Sequence, residues 1–334
     1  MYRIVFNLCS LKFEQAQSIL YGKYTQSIKD YLQDNVVDEL KRQSGPDLLI
    51  ALNKRWADHE IMVNWMQKFF QYLDRFYVEM HSIASLNDQG YKIFKEIVFN
   101  PLCDKLTTAI CNEVKKQRLG QEVMETTDEQ LRNIVKIYLK LSTGKLANDG
   151  FLPRINLDKA LVEETRLFYE GKSNEVIVQT NLIDYLRETD KFYTQEKNRV
   201  THIINWEIGE EILKTFRQEM LVKPQPQLLS KGNGFKDFIQ DKRYDEIALL
   251  YQLYKQEQEH LKPIGEQFKT FISDQGKNLL KQVDLYNKEG KPMDIKEIIF
   301  TSQIVVKLLE MLQEYTNIVQ NCFESNSSFE IQRA

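Results

Sequence analysis

Between Pro153 and Pro224 the chain runs without a proline. Proline is the residue that a helix interior tolerates least, because it has no N–H for the preceding turn and its ring strikes that turn's carbonyl. With only 7 prolines and 13 glycines in 334 residues, most of the remaining chain is equally open to helix. The apolar residues use that freedom. Runs such as "EQLRNIVKIYLKL", "EIGEEILKTFRQEM" and "FTSQIVVKLLEMLQEYTNIVQNCF" set an apolar residue every three or four positions, the period of one helical face. No series of runs alternates with the period of two that a half-buried strand needs. The expected fold class is all-α.

Segment 59–78, "HEIMVNWMQKFFQYLDRFYV", is the greasiest of these runs. Glu60, Asn64, Gln67, Lys68, Gln71, Asp74 and Arg75 recur every three or four positions and draw a polar stripe. Met62, Trp65, Met66, Phe69, Leu73, Phe76 and Tyr77 fall on the broad opposite side. A membrane span needs about 20 mostly apolar residues, and a charge or amide on every turn is expensive in hydrocarbon. The expectation is one amphipathic helix with an unusually large buried face.

Breaks at "QSGPDLL" (43–49), "LSTGKLANDGFLPRI" (141–155) and "LVKPQPQLLSKGNGF" (221–235) punctuate the helical runs. They suggest three blocks, 1–125, 126–234 and 235–334. "NKRWADHEIMVNWMQKF" and "QDKRYDEIALLYQLYKQ" echo one another weakly, as stacked helical repeats would. The 45 basic and 48 acidic residues nearly cancel, to a formal net charge of -3. Phosphate binding wants a clustered basic surface, so this balance argues against nucleic acid as the main partner. Cys9, Cys103, Cys111 and Cys322 form no C-x-x-C pair, which suits reduced, buried thiols in the cytoplasm or nucleus. The opening "MYRIVFNLCSLKF" has neither the sustained apolar run nor the small-residue site of a signal peptide.

No catalytic or metal-binding constellation stands out, and no cofactor is expected. Glu257 and His260 are one turn apart and match half of a di-iron motif, but no second such pair occurs. His59-Glu60 lacks the second histidine of H-E-x-x-H, and Thr143-Gly144-Lys145 lacks the earlier glycine and the final hydroxyl of a phosphate loop. His81 and His202 have no ligand-spaced neighbour, and Glu163-Glu164 and Glu210-Glu211 sit in ordinary helical runs. What remains is surface for protein contact. Tyr2, Phe6 and Cys9 are spaced to share one face of a short helix, where aromatics make good hot spots, although the same spacing suits inward packing.

"LLIALNKRWADHEIMVNWMQKFFQYLDRFYV" (48–78) resembles a segment of the cullins, in which Trp-x-x-His precedes a methionine-rich helix ending in Tyr-Leu-Asp-Arg-aromatic. Trp56, His59, Met62, Tyr72, Leu73, Asp74 and Arg75 occupy those places. "MYRIVFNLC", "LYGKYTQSIKDYLQDNVV", "FKEIVFNPL", "VKKQRLG", "VEETRLFYEGKSNEVI" and "DKRYDEIALLYQLY" resemble further cullin segments in the same order, so the likeness covers nearly the whole chain. It implies an elongated stalk of three stacked five-helix cullin repeats. It also implies a non-enzymatic scaffold of a multisubunit ubiquitin ligase, found in cytoplasm and nucleus, with the adaptor-docking tip in the first repeat.

By this resemblance the adaptor-binding candidates are Tyr2, Val5, Phe6, Asn7 and Cys9 on the first docking helix. Leu86, Asn87 and Tyr91 are those on the second, and segment 59–78 is the buried helix behind them. The implied partner is a Skp-type adaptor carrying an F-box receptor, with a BTB adaptor close behind, and neither nucleic acid nor membrane. Against the family pattern the chain begins inside the docking helix and ends near "CFESNSSFEIQRA", where a cullin would enter its carboxy-terminal domain. The expectation is a fragment that holds an adaptor without recruiting the RING subunit. A helical-rod vesicle-tethering subunit, which shares this composition, is the alternative from another class.

Overall fold

The computed structural model describes residues 2–10, 14–121, 128–147, 152–204, 206–230, 234–287 and 295–329, and every regular element among them is helical. By compactness the chain falls into two units, residues 1–168 with 196–215 and residues 169–195 with 216–334.

The first unit opens with α1 (Tyr2–Ser10), α2 (Glu14–Leu32), α3 (Asp38–Arg42) and α4 (Gly45–Phe69). It continues through the one-turn α5 (Gln71–Leu73) and α6 (Glu79–His81) to α7 (Leu86–Phe94), α8 (Asn100–Arg118) and α9 (Asp128–Leu141). Parts of α10 (Pro153–Gln179), α11 (Leu182–His202) and α12 (Trp206–Arg217) complete it. The break at 43–49 is a helix start: Gly45 takes a positive φ of 56°, which suits a residue without Cβ, and Pro46 occupies the first turn, where its missing N–H costs nothing. From there Leu48, Leu52, Trp56, His59 and Val63 are buried three or four residues apart. Their helix packs against α7, α8 and α9. Deeper in the unit, Arg118 donates to both oxygens of Glu196 (2.7 and 3.2 Å) and to Thr165 Oγ1 (2.7 Å). Arg199 pairs with the same carboxylate.

The second unit takes the remaining parts of α10 and α11, the end of α12, and α13 (Gln225–Ser230), α14 (Phe235–Gln240), α15 (Tyr244–Tyr254), α16 (Gln258–Asn287) and α17 (Ile295–Asn321). Its core is aromatic. Phe235, Phe268, Phe323 and Phe329 are fully buried, with Phe323 stacked on Phe329 at 3.8 Å between centroids.

Four π turns, 33–37, 74–78, 95–99 and 218–222, interrupt the described helices. A π turn closes over five residues rather than four, and its backbone carbonyls find unusual donors. In the turn at 218–222 the Met220 carbonyl accepts Tyr185 Oη and the Leu221 carbonyl accepts Tyr254 Oη, both at 2.8 Å.

One expectation is corrected here. Segment 59–78 is not a single helix with a large buried face: α4 stops at Phe69, Phe70 leaves helical geometry (φ -105°, ψ 15°), and a π turn follows α5. Trp65 is 56% and Phe69 46% exposed, while His59, Val63, Leu73 and Val78 carry the burial. Trp65 and Phe69 lie off the face that Trp56, His59 and Val63 bury within α4 itself, and beyond Phe69 the break and the five-residue turn shift the phase again.

Candidate functional site

Consecutive helical residues point about 100° apart, so α1 cannot show Val5, Phe6 and Asn7 to one neighbour. Val5 and Cys9, one turn apart, are buried. The Cys9 carbonyl accepts the side-chain amide of buried Gln17 at 2.9 Å, which ties the inner edge of α1 to α2. Ile4, Phe6 and Asn7 face outward. The Phe6 ring meets Tyr72 edge-on at 4.9 Å, and Tyr72 lies nearly parallel to Phe76 at 6.2 Å. The Arg75 guanidinium sits 5.8 Å above Phe76. The result is an aromatic ledge with a cation at its edge. Tyr2 begins α1, and its side chain lies outside the described residues.

Hydrogen bonds place α7 beside α2 and α4. Ser85 is its N-cap, with Oγ accepting the Asp88 N–H at 3.0 Å, and Asp74 Oδ1 accepts the Leu86 N–H at 2.8 Å. From α2, Tyr21 Oη donates to the Ala84 carbonyl (2.9 Å) and Tyr24 Oη to that of Leu86 (2.8 Å). A Cβ on Gly90 would stand 2.7 Å from Val63 Cγ2, so only glycine lets α7 come this close to α4. His59 Nε2 lies 3.0 Å from the Gly90 carbonyl, an acceptor, so this nitrogen carries the proton. Lys140 Nζ reaches over the Tyr91 ring at 3.9 Å and pairs with Glu60 at 2.6 Å, which fastens α9 to the same place.

Of the eight sequence candidates, then, Phe6 and Asn7 face out, and Asn87 is half-buried at the edge of α7. Val5, Cys9, Leu86 and Tyr91 are buried and serve to seat the two helices. Tyr21, Tyr24 and Gly90, which hold α7 in place, were not singled out in the sequence. The only hint was that both tyrosines fall in the helix following α1.

Burial governs the electrostatics. It pushes the Asp74 carboxyl up, against the pull of the Leu86 N–H and the Gln67 amide, and raises the Tyr21 phenol to about 12. It lowers His59 from 6.5 to about 4. Native His59 therefore excludes a proton that the unfolded chain binds below 6.5. Its contribution is whole above pH 6.5 and is lost as pH falls from there to about 4, by up to about 3 kcal/mol at about 1.4 kcal/mol per unit. Urea unfolding at pH 7.5 and pH 5 should show wild type losing clearly more stability than His59→Gln, which keeps a donor for Gly90. Equal losses would contradict the assignment.

Glu257 and His260, the half di-iron motif, have structural partners. Glu257 accepts Arg217 Nε at 2.9 Å, and His260 Nδ1 lies 3.2 Å from Gln225 Oε1. Among the described residues no cluster of three or more His, Cys, Asp or Glu could hold a metal, and no helix is long and apolar enough to cross a membrane.

The family model for the Cullin alpha solenoid domain matches residues 1–333. Cullin-1 of Oryza sativa subsp. japonica is 26% identical over 334 residues, covering 98% of this chain and 44% of that protein. Cullin-3A of Arabidopsis thaliana is 22% identical over 334 residues, covering 99% and 42%. Putative cullin-like protein 2 of Arabidopsis thaliana is 25% identical over 319 residues, covering 95% and 82%. The chain spans less than half the length of Cullin-1 and Cullin-3A.

Proposed function

Because the chain belongs to the cullin family, we propose that it is a non-catalytic scaffold arm of a ubiquitin ligase, acting in cytoplasm and nucleus. In this reading it docks a substrate-receptor adaptor on α1 and α7, and its three repeats span 1–125, 126–234 and 235–334. The observation that carries the reading is the outward Phe6, 41% exposed and braced on Tyr72, in the same unit as α7, which hydrogen bonds from Tyr24 and Asp74 hold in place. An aromatic already ordered by a neighbouring ring loses little entropy on docking, which is how hot spots work. A Skp-type adaptor with its F-box receptor is preferred to a BTB adaptor, because "MYRIVFNLC" and "KRWADHEIMVNWMQKFFQYLDR" look nearest to the cullin group that uses it.

Calorimetric titration with a Skp-type adaptor, with a BTB adaptor in parallel, tests this. Phe6→Ala should weaken binding at least about tenfold, about 1.4 kcal/mol, with an unchanged circular dichroism spectrum. A folded wild-type chain that binds neither adaptor would overturn the reading.

A further inference from the structure

Asp74 belongs to the Tyr-Leu-Asp-Arg run, and both of its oxygens are engaged within its own unit. One of its oxygens accepts the Leu86 N–H at 2.8 Å, and the other lies 3.5 Å from Gln67 Nε2. A carboxylate can only accept hydrogen bonds. Gln67 must therefore turn its NH2 toward Asp74, which leaves its carbonyl oxygen on the far side. There it receives Asn87 Nδ2 at 3.1 Å, and the same nitrogen lies 3.4 Å from Asn64 Oδ1. Both protons of the Asn87 amide are thus directed at α4. Its own carbonyl oxygen receives no donor among the described residues and sits at the half-buried edge of α7.

Side-chain amides flip at little cost when their surroundings are symmetric. This relay is not symmetric, because its inner end is acceptor-only. We infer that Asp74 is a positioning residue that sets which atom of Asn87 faces the docked adaptor. That atom is the carbonyl oxygen, and the adaptor supplies a hydrogen-bond donor to it. The inference rests on the adaptor-docking reading and adds the chemistry of one contact.

The test is a double-mutant cycle by calorimetry with the Skp-type adaptor. Asn87→Leu removes the acceptor at similar size and should weaken binding roughly fivefold to tenfold, since it strands a donor on the adaptor. Asp74→Asn keeps its one oxygen for the Leu86 N–H and so turns its NH2 toward Gln67, which reverses the relay. It should weaken binding severalfold in the wild-type background and have no further effect in the Asn87→Leu background. A purely structural role would weaken both backgrounds alike, and that result would overturn the inference. Asn87→Leu without effect, where Phe6→Ala weakens binding, would also overturn it while leaving the docking reading intact. Absence of binding by the wild type would remove the docking reading and the contact together.

Discussion

Glu196→Ala is expected to lower the unfolding free energy by about 3–5 kcal/mol, among the largest single-site losses in the chain. The Glu196 side chain is 0% exposed and is shared by two guanidiniums, Arg118 at 1% and Arg199 at 8% exposure. Removing it leaves two like charges facing one another without the hydration that burial has taken away. Arg118 keeps its bond to Thr165 and Arg199 its bond to Gln117, 3.3 Å away, but neither partner carries charge. Glu196→Gln, which retains one acceptor oxygen and the shape, should fall between wild type and alanine. Urea denaturation measures all three. A loss below about 1 kcal/mol for alanine would mean that water already reaches the network, as for an exposed ion pair.

In the second unit, Phe323→Ala should cost a comparable amount, about 3–5 kcal/mol. The ring is 0% exposed, lies parallel to Phe329, and meets Phe268 and Tyr251 edge-on at 5.4 and 5.9 Å. Deleting it takes one face of contact from three aromatics at once, and the rigid helices around it can close the space only in part. Phe323→Leu fills much of that volume and should cost less than half as much. Amide exchange adds a local signature: the short turn Ser327–Phe329 loses its stacking partner, so its amides should lose protection more than those of α15. If alanine and leucine proved equally mild, the aromatic cluster would be looser than its geometry implies.

The all-α class was legible because proline scarcity and a period of three to four residues act locally, before any tertiary contact forms. The start of α4 was legible for the same reason, in Gly45 and Pro46. The phase of the helices was not. Leu32 and Val37, Leu73 and Val78, Phe94 and Phe99, and Phe216 and Leu221 are all buried five residues apart, each pair across a π turn. No periodicity of the sequence announces where the ladder widens. Trp65 and Phe69 lie before any such turn, in the unbroken α4; they were expected inside because they are large and apolar, yet they fall off the face that Leu52, Trp56, His59 and Val63 bury. At α1, Ile4 and Phe6 are as apolar as Val5 and Cys9, so composition alone could not separate the outward side from the seating side. The bonds that place α7 are long-range. Tyr24 reaches Leu86 across 62 positions, and Asp74 reaches it only because the chain doubles back after α6.

The π turns also change what residue numbers mean along these helices. Each behaves as a one-residue insertion that the fold has absorbed rather than expelled into a loop. Past such a point, counting by threes and fours from the preceding segment names the wrong side of the helix by about 100°. A helix without the extra residue of Asp74–Val78, laid residue by residue on this one, would trade an inward side chain for an outward one past the turn.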